Sequence, residues 1–204
     1  MNALAAVVLT LALAAAVPAQ AATSSLKVLE LTGGTLTVGE RELKPGQKIP
    51  GGPSARLSRG ARLVLGAGPW GKLLLHGPAV FATSDEDDGL NLKAGGVLAV
   101  LRPVKGRAFS VHTAAAAMSV RGTTFYTETR GQTSFYLCIC DGTVDVETPS
   151  GAYKTTVSSE RQHKPYLFQF NDDNGLQSEA EMVRHTDAEI EELSVGVKPV
   201  KPKP

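Results

Sequence analysis

Charge of one sign is missing from this sequence. Its 21 Lys and Arg stand against 20 Asp and Glu, and such neutrality leaves no electrostatic footprint for a nucleic acid. Aromatic residues are few, at 5%, whereas glycine occurs 21 times, a composition that suits a turn-rich β protein better than a helical bundle. Enzyme signatures are also missing. There is no Gly-x-Ser-x-Gly, and Gly66-Ala-Gly-Pro-Trp-Gly71 matches neither a phosphate loop nor a dinucleotide fingerprint, since no lysine-threonine pair and no strand-to-helix context follows. The composition and motifs therefore point to a non-catalytic chain with no bound nucleotide.

The first 22 residues have no charged side chain and are rich in Leu, Val and Ala up to Pro18, followed by Ala19-Gln20-Ala21. This reads as a secretory signal with a small-residue cleavage site. The apolar run is short for a membrane span of about 20 residues, and the usual early Lys or Arg is missing, so an uncleaved N-terminal anchor is the alternative. No cysteine follows the apolar stretch, which argues against a lipoprotein. No later run is long and apolar enough to span a bilayer as a helix. The expected location is the periplasm or the exterior of the cell.

From Leu26 onward short apolar runs alternate with turn residues: Leu26-Lys-Val-Leu-Glu-Leu31 before Gly33-Gly34, Thr35-Leu-Thr-Val38 before Gly39, Lys72-Leu-Leu-Leu-His76 before Gly77-Pro78, and Gly96-Val-Leu-Ala-Val-Leu101. Turn signals about every 8 to 12 residues predict an all-β fold, either a sandwich or a coiled, solenoid-like antiparallel sheet of many short strands. The β-domain is expected over 25–170. Residues 171–204 are expected to hold a loop, one helix and a tail. Ser178-Glu-Ala-Glu181 has capping-box spacing and predicts a helix running to about Leu193, with Met182, Ile190 and Leu193 on its apolar side. The Lys198-Pro-Val-Lys-Pro-Lys-Pro204 tail cannot continue a helix, because proline lacks the donor and fixes φ.

Ala108-Phe-Ser-Val-His-Thr113, Val120-Arg-Gly-Thr-Thr-Phe125 and Ser134-Phe-Tyr-Leu-Cys-Ile-Cys140-Asp-Gly-Thr-Val-Asp-Val146 read as successive strands joined by glycine turns. This pattern resembles the FecR-like domain known from periplasmic regulators of iron uptake, over about Leu43 to Pro149. The resemblance implies a β-module without catalytic residues, in which Val120, Arg121, Gly122, Thr123 and Gly142 form a structural signature. It departs from the family at Ala114, where a proline is usual; the Ala114 to Ala117 run is thus less rigidly extended, and by propensity alone it also reads as helix. Full-length regulators of that type carry a cytoplasmic helical domain that binds a sigma factor and a membrane helix ahead of the β-module. With only a leader in that place, direct sigma-factor binding is not expected, and the implied partner is another envelope protein or envelope component.

Cys138-Ile-Cys140 is the one chemically suggestive feature. Residues two apart on a strand share a face, so both thiols emerge side by side. Three readings stay open: thiols buried as small residues, a local disulfide that needs a kink or bulge because two Cα atoms at this spacing lie about 6.5 Å apart, or a site for Zn(II) or Cu(I) completed by further ligands. His163 and His112 are the expected partners, with Cys138, Cys140 and His163 the favoured set; on the other two readings no cofactor is bound. His76, at a strand end, and His185, on the predicted helix, read as surface residues. The acidic loop Ser84-Asp-Glu-Asp-Asp-Gly89 lacks the first ligand and the closing glutamate of a calcium loop, and reads as a solvated turn.

Overall fold

The computed structural model describes residues 26–84, 87–171 and 174–197. The predicted leader and the tail from Lys198 lie outside the described residues, as do Asp85 and Glu86 of the acidic loop. Strands dominate, as the turn spacing predicts. The first half of the chain supplies β1 (Lys27–Thr32), β2 (Leu36–Val38), β3 (Arg41–Glu42), β4 (Ala55–Leu57), β5 (Arg62–Gly66), β6 (Gly71–His76), β7 (Ala79–Thr83), β8 (Gly89–Ala94) and β9 (Gly96–Leu101). The second half supplies β10 (Phe109–His112), β11 (Ala117–Val120), β12 (Thr124–Thr129), β13 (Ser134–Glu147), β14 (Lys154–Ser159), β15 (Lys164–Asn171) and β16 (Asn174–Glu179), then α1 (Asp187–Ser194).

Two sheets share the long strand β13. In the first, the order is β1-β5-β6-β9-β12-β13-β15-β16, using residues 134–141 of β13. In the second, it is β3-β2-β4-β7-β8-β10-β11-β13-β14, using residues 142–147. Among the described residues every strand pairing is antiparallel except β8 with β10, which run parallel, so the sheet is mixed where the sequence predicts an antiparallel one. The inner faces meet in one core: Leu63, Leu73, Leu75, Val97 and Phe125 from the first sheet pack with Leu36, Leu57, Phe81, Leu92 and Phe109 from the second.

The passage of β13 between sheets depends on one extra residue. Phe125 of β12 pairs with Ile139 and Thr124 with Asp141, which leaves Cys140 as the added residue of a β-bulge. Before it the odd-numbered Phe135, Leu137 and Ile139 face the core; after it the even-numbered Val144 and Val146 do. A period-2 strand changes its facing parity only through such an insertion. The corner beside it is crowded. Gly122 has φ +94°, and a Cβ there would overlap Pro103 Cδ. Gly142 has φ +99°, and a Cβ would lie 2.9 Å from the Gly122 carbonyl oxygen. Buried Thr123 closes the corner by donating from Oγ1 to the Thr143 carbonyl at 2.7 Å, while Arg121 stays exposed.

The first sheet is covered on its outer face as well. Val64, Leu74, Leu98, Val100, Tyr126, Tyr136, Cys138 and Cys140 form a second cluster with Leu193 and Val197 of the C-terminal segment. Burial of both faces accounts for the unbroken apolar runs Leu73-Leu-Leu75 and Val97-Leu-Ala-Val-Leu101, which a half-solvated strand does not need.

Three local expectations are corrected. Ala114 to Ala117 forms neither helix nor one extended run: the Thr113 side chain accepts from the amides of Ala115 and Ala116 at 3.3 and 3.1 Å, closing the turn between β10 and β11, and only Ala117 joins a strand. The sheet extends beyond Phe170, because Ser178 and Glu179 belong to β16 and pair with Leu167 and Tyr166. The helix therefore starts later, at Asp187, and its capping box is Thr186 with Glu189. The same Ser/Thr-x-x-Glu spacing occurs twice, and ladder hydrogen bonds claim the first copy. Met182 stands outside the helix and is exposed. Among the described residues no helix is long and apolar enough to cross a membrane.

Gly122→Ala is expected to lower folding stability by about 2–4 kcal/mol, combining left-handed strain with overlap at Pro103. Urea denaturation checks this, and an unchanged midpoint refutes the account of the corner.

Candidate metal centre

Cys138 and Cys140 lie on the outer face of β13, away from the core taken by Leu137 and Ile139. Both are buried, at 0% and 6% exposure, and both are free thiols. The second sulfur, two residues on, shares the side of the first, and it sits on the bulge where the strand begins its turn into the second sheet.

Two imidazoles close over them. His163 stands in the turn between β14 and β15, immediately before Lys164, which pairs with Ile139. Its Nδ1 lies 3.6 Å from Cys138 Sγ. His185 comes from the segment after β16, where the sequence reading placed a surface residue on a helix. It is instead 3% exposed, precedes the helix, stacks on the Tyr126 ring at 5.0 Å, and sets its Nε2 3.5 Å from Cys140 Sγ. The two ring nitrogens are 3.2 Å apart. The four donor atoms Cys138 Sγ, Cys140 Sγ, His163 Nδ1 and His185 Nε2 all lie within 4.8 Å of one another.

Three of these separations, 3.6, 3.5 and 3.2 Å, match those of a coordination shell. Around a tetrahedral zinc with Zn–S of about 2.3 Å and Zn–N of about 2.0–2.1 Å, trigonometry sets N···N at about 3.3 Å and S···N at about 3.6 Å. The outer ring nitrogens are engaged as metal-bound histidines require. His185 Nδ1 donates to the Val183 carbonyl at 2.8 Å, which leaves Nε2 with a free lone pair. His163 Nε2 lies 2.8 Å from Asp187 Oδ1, a carboxylate that holds the ring so that Nδ1 faces the sulfurs.

Charge is arranged to favour a thiolate. The Cys138 thiol is drawn down to about 4, first by its hydrogen bond with Cys140 and then, against burial, by those with His185 and His163. Cys140 is pushed up, by the same bond to Cys138 and by burial. Burial pulls the His163 imidazole down, but hydrogen bonds with Asp187 and Cys138 outweigh it, and its pKa is raised. These directions favour a thiolate at Cys138 beside a protonated His163, charges that a bound cation would rearrange.

Backbone strain marks the same spot. Among the described residues two non-glycine positions have positive φ, Arg161 and Arg184, each at 54°. One precedes His163 by two residues and the other immediately precedes His185. Left-handed conformations at such residues persist only where the surroundings enforce them, and they gather at functional sites. An open groove of about 400 Å³, lined in part by Cys140, Asp141, Arg161, His163 and Asp187, leads from solvent to the cluster.

The other candidates lie elsewhere. His112, on β10, is bound to Asp87 at 3.0 Å and takes no part in the cluster. His76 pairs with Glu189 at 2.7 Å. In the acidic loop, Asp88 accepts from Arg107 Nε at 2.7 Å, so the loop's two described carboxylates, Asp87 and Asp88, face His112 and Arg107. Val120, Arg121, Gly122, Thr123 and Gly142 form the corner beside β13; Gly122 and Thr123 also line the groove. The residue that sequence reasoning missed is His185. The available signal was its place between Val183 and the Thr186 cap, which starts the helix after it and frees the side chain to turn inward.

Arg184→Gly is expected to raise stability by up to about 1 kcal/mol, and Arg184→Val to lower it by about 1 kcal/mol or more, because only glycine adopts this φ without strain. Paired urea titrations decide it; equal effects of the two substitutions refute the strain.

Comparison with known proteins bears on the sheet more than on the cluster. Residues 74–145 match the family model described as FecR protein. No curated protein matches the chain. Two solved structures, at 1.65 and 2.50 Å resolution, of a candidate anti-sigma factor from Parabacteroides distasonis ATCC 8503 are similar in fold, each with TM-score 0.51 at 13% identity. The match covers 62% of this chain and 59% of theirs, so the likeness extends over little more than half of that protein's length. The FecR resemblance therefore holds over residues 74–145, a segment that contains both cysteines of the cluster and neither of its histidines.

Proposed function

We propose that this chain is an exported, non-catalytic FecR-type β-module that binds one zinc ion through Cys138, Cys140, His163 and His185, and that it serves a regulatory or scaffolding role at the cell envelope. The observation that carries the metal reading is the convergence of four donor atoms, drawn from three separate stretches of chain, within 4.8 Å of one another, with His163–Cys138, His185–Cys140 and His163–His185 distances that match tetrahedral zinc. Zinc is favoured over a hard cation because thiolate and imidazole are soft to borderline donors. Four protein ligands close the shell, which is the form of a structural or sensing zinc site rather than a catalytic one with an open position. Export is supported by the uncharged, Ala-rich first 22 residues ending in Ala19-Gln20-Ala21. The regulatory role is supported by the FecR match, and the partner is expected to be another envelope protein or envelope component.

Purified protein is expected to contain close to one zinc per chain by elemental analysis, with both thiols masked to a thiol reagent until a chelator is added. Cys138→Ser and His185→Ala should each abolish stoichiometric zinc, whereas His112→Ala should leave it intact. Asp187→Ala, which removes the carboxylate behind His163, should weaken zinc about 10- to 100-fold. One copper per chain in place of zinc would reassign the ion, and two free thiols in metal-free protein that takes up neither would refute the reading.

A further inference from the structure

The donor set is divided between two bodies. Cys138 and Cys140 belong to β13 and His163 to the turn between β14 and β15, all on the β-body; His185 alone comes from the segment that follows β16. The carboxylate that orients His163, Asp187, is also on that segment. An ion at the centre is therefore a bond between the sheet and the C-terminal segment.

Little else fixes this segment. After Ala180, whose amide donates to the Pro165 carbonyl at 3.1 Å, it joins no strand. Its helix α1 has 8 residues, too few to persist without tertiary support. Leu193 and Val197 are buried and Val183 and Ile190 half-buried against the sheet, a small apolar footing. Inside, the Val183 amide donates to the Tyr136 hydroxyl at 3.3 Å; the other polar contacts lie toward the rim: His76 with Glu189, Arg62 with Glu192, Arg184 with Glu128, and Lys72 with the Val195 carbonyl. Such solvated pairs hold weakly. The left-handed backbone at Arg184 works against docking. Beneath the segment lie Val64, Leu74, Leu98, Val100, Tyr126 and Tyr136, a contiguous apolar face of the first sheet.

We infer, on the basis of the zinc reading above, that the metal is a latch: its occupancy decides whether residues 183–197 cover this outer face, and its loss releases them and bares the apolar surface of β5, β6, β9 and β12. The groove beside Cys140 and His163 gives the ion access while the segment is docked. Because coupling between two equilibria is reciprocal, weakening the docking must weaken zinc, even where no ligand is touched.

Amide hydrogen exchange on the whole exported chain, zinc-loaded and chelator-treated with zinc content measured in the same samples, tests this. Removal of zinc is expected to lower protection of residues 186–197 by about tenfold or more, while β6, β9 and β13 stay protected. Leu193→Asp, with all four ligands intact, is expected to bind zinc about tenfold more weakly. Unchanged protection of 186–197 in samples that lose one zinc per chain overturns the latch and leaves the zinc site standing. So does Leu193→Asp with wild-type zinc affinity. Loss of protection throughout the sheet also overturns it, in favour of an ion that holds the entire fold. Failure to take up zinc at all overturns both.

Discussion

The structure turns on a single insertion in β13. A strand that serves two sheets must present its apolar side chains to one interior along its whole length, yet the sheet it leaves and the sheet it enters meet that interior with opposite parity. Cys140 is the residue that reconciles them, unmatched between Ile139 and Asp141 opposite β12. The same irregularity lies inside the cluster, since the unmatched Cys140 is also one of its two sulfur donors. Gly122, Thr123 and Gly142 pack around this turn, so the corner that resembles the FecR pattern and the thiols that carry the chemistry are supported by one piece of backbone.

Burial on both faces is the second constraint, and it follows from the first sheet's composition. Leu74, Leu98 and Val100 point away from the core, and an apolar outer face needs a cover. The C-terminal segment supplies it. Cysteine fits such an environment as a small, poorly hydrated side chain, and two buried cysteines alone call for no further explanation. The imidazoles change that. A buried histidine 3.5 Å from a sulfur and 3.2 Å from a second imidazole brings several donors together with little water to separate them, which is costly unless protons are shared or a cation neutralises the set. The Val183 carbonyl and the Asp187 carboxylate, each on an outer nitrogen, settle which ring atoms face inward, and they do so for both rings.

Much of the fold was legible because its signals are local. Glycine and proline between short apolar runs mark turns whatever the topology, and the shared face of Cys138 and Cys140 is a property of any strand. His163 was within reach because it directly precedes a strand that pairs with β13. What could not be read depends on distance in sequence. The parallel pairing of β8 with β10 is invisible to alternation, which is the same for either direction. The capping spacing at Ser178 is as good as that at Thr186, and only the pairing of β16 with β15 decides between them. His185 failed for a related reason: placed on a helix it faces water, but with the helix starting after it, the side chain turns onto the sheet.

The family segment and the metal cluster do not coincide, and the mismatch is informative. Residues 74–145 carry the thiols, while both imidazoles arrive from chain beyond that segment, on the turn before β15 and on the cover of the outer face. The body that contains the FecR-matched segment is thus a platform whose exposed side would otherwise present two thiols and an apolar sheet. Later elements convert that side into a closed donor set by adding His163 from a hairpin and His185 from a segment that has no strand partner of its own. On the proposed zinc reading the chemistry therefore resides in the junction between body and cover, and so an ion's coordination and the docking of the last described residues are one equilibrium rather than two.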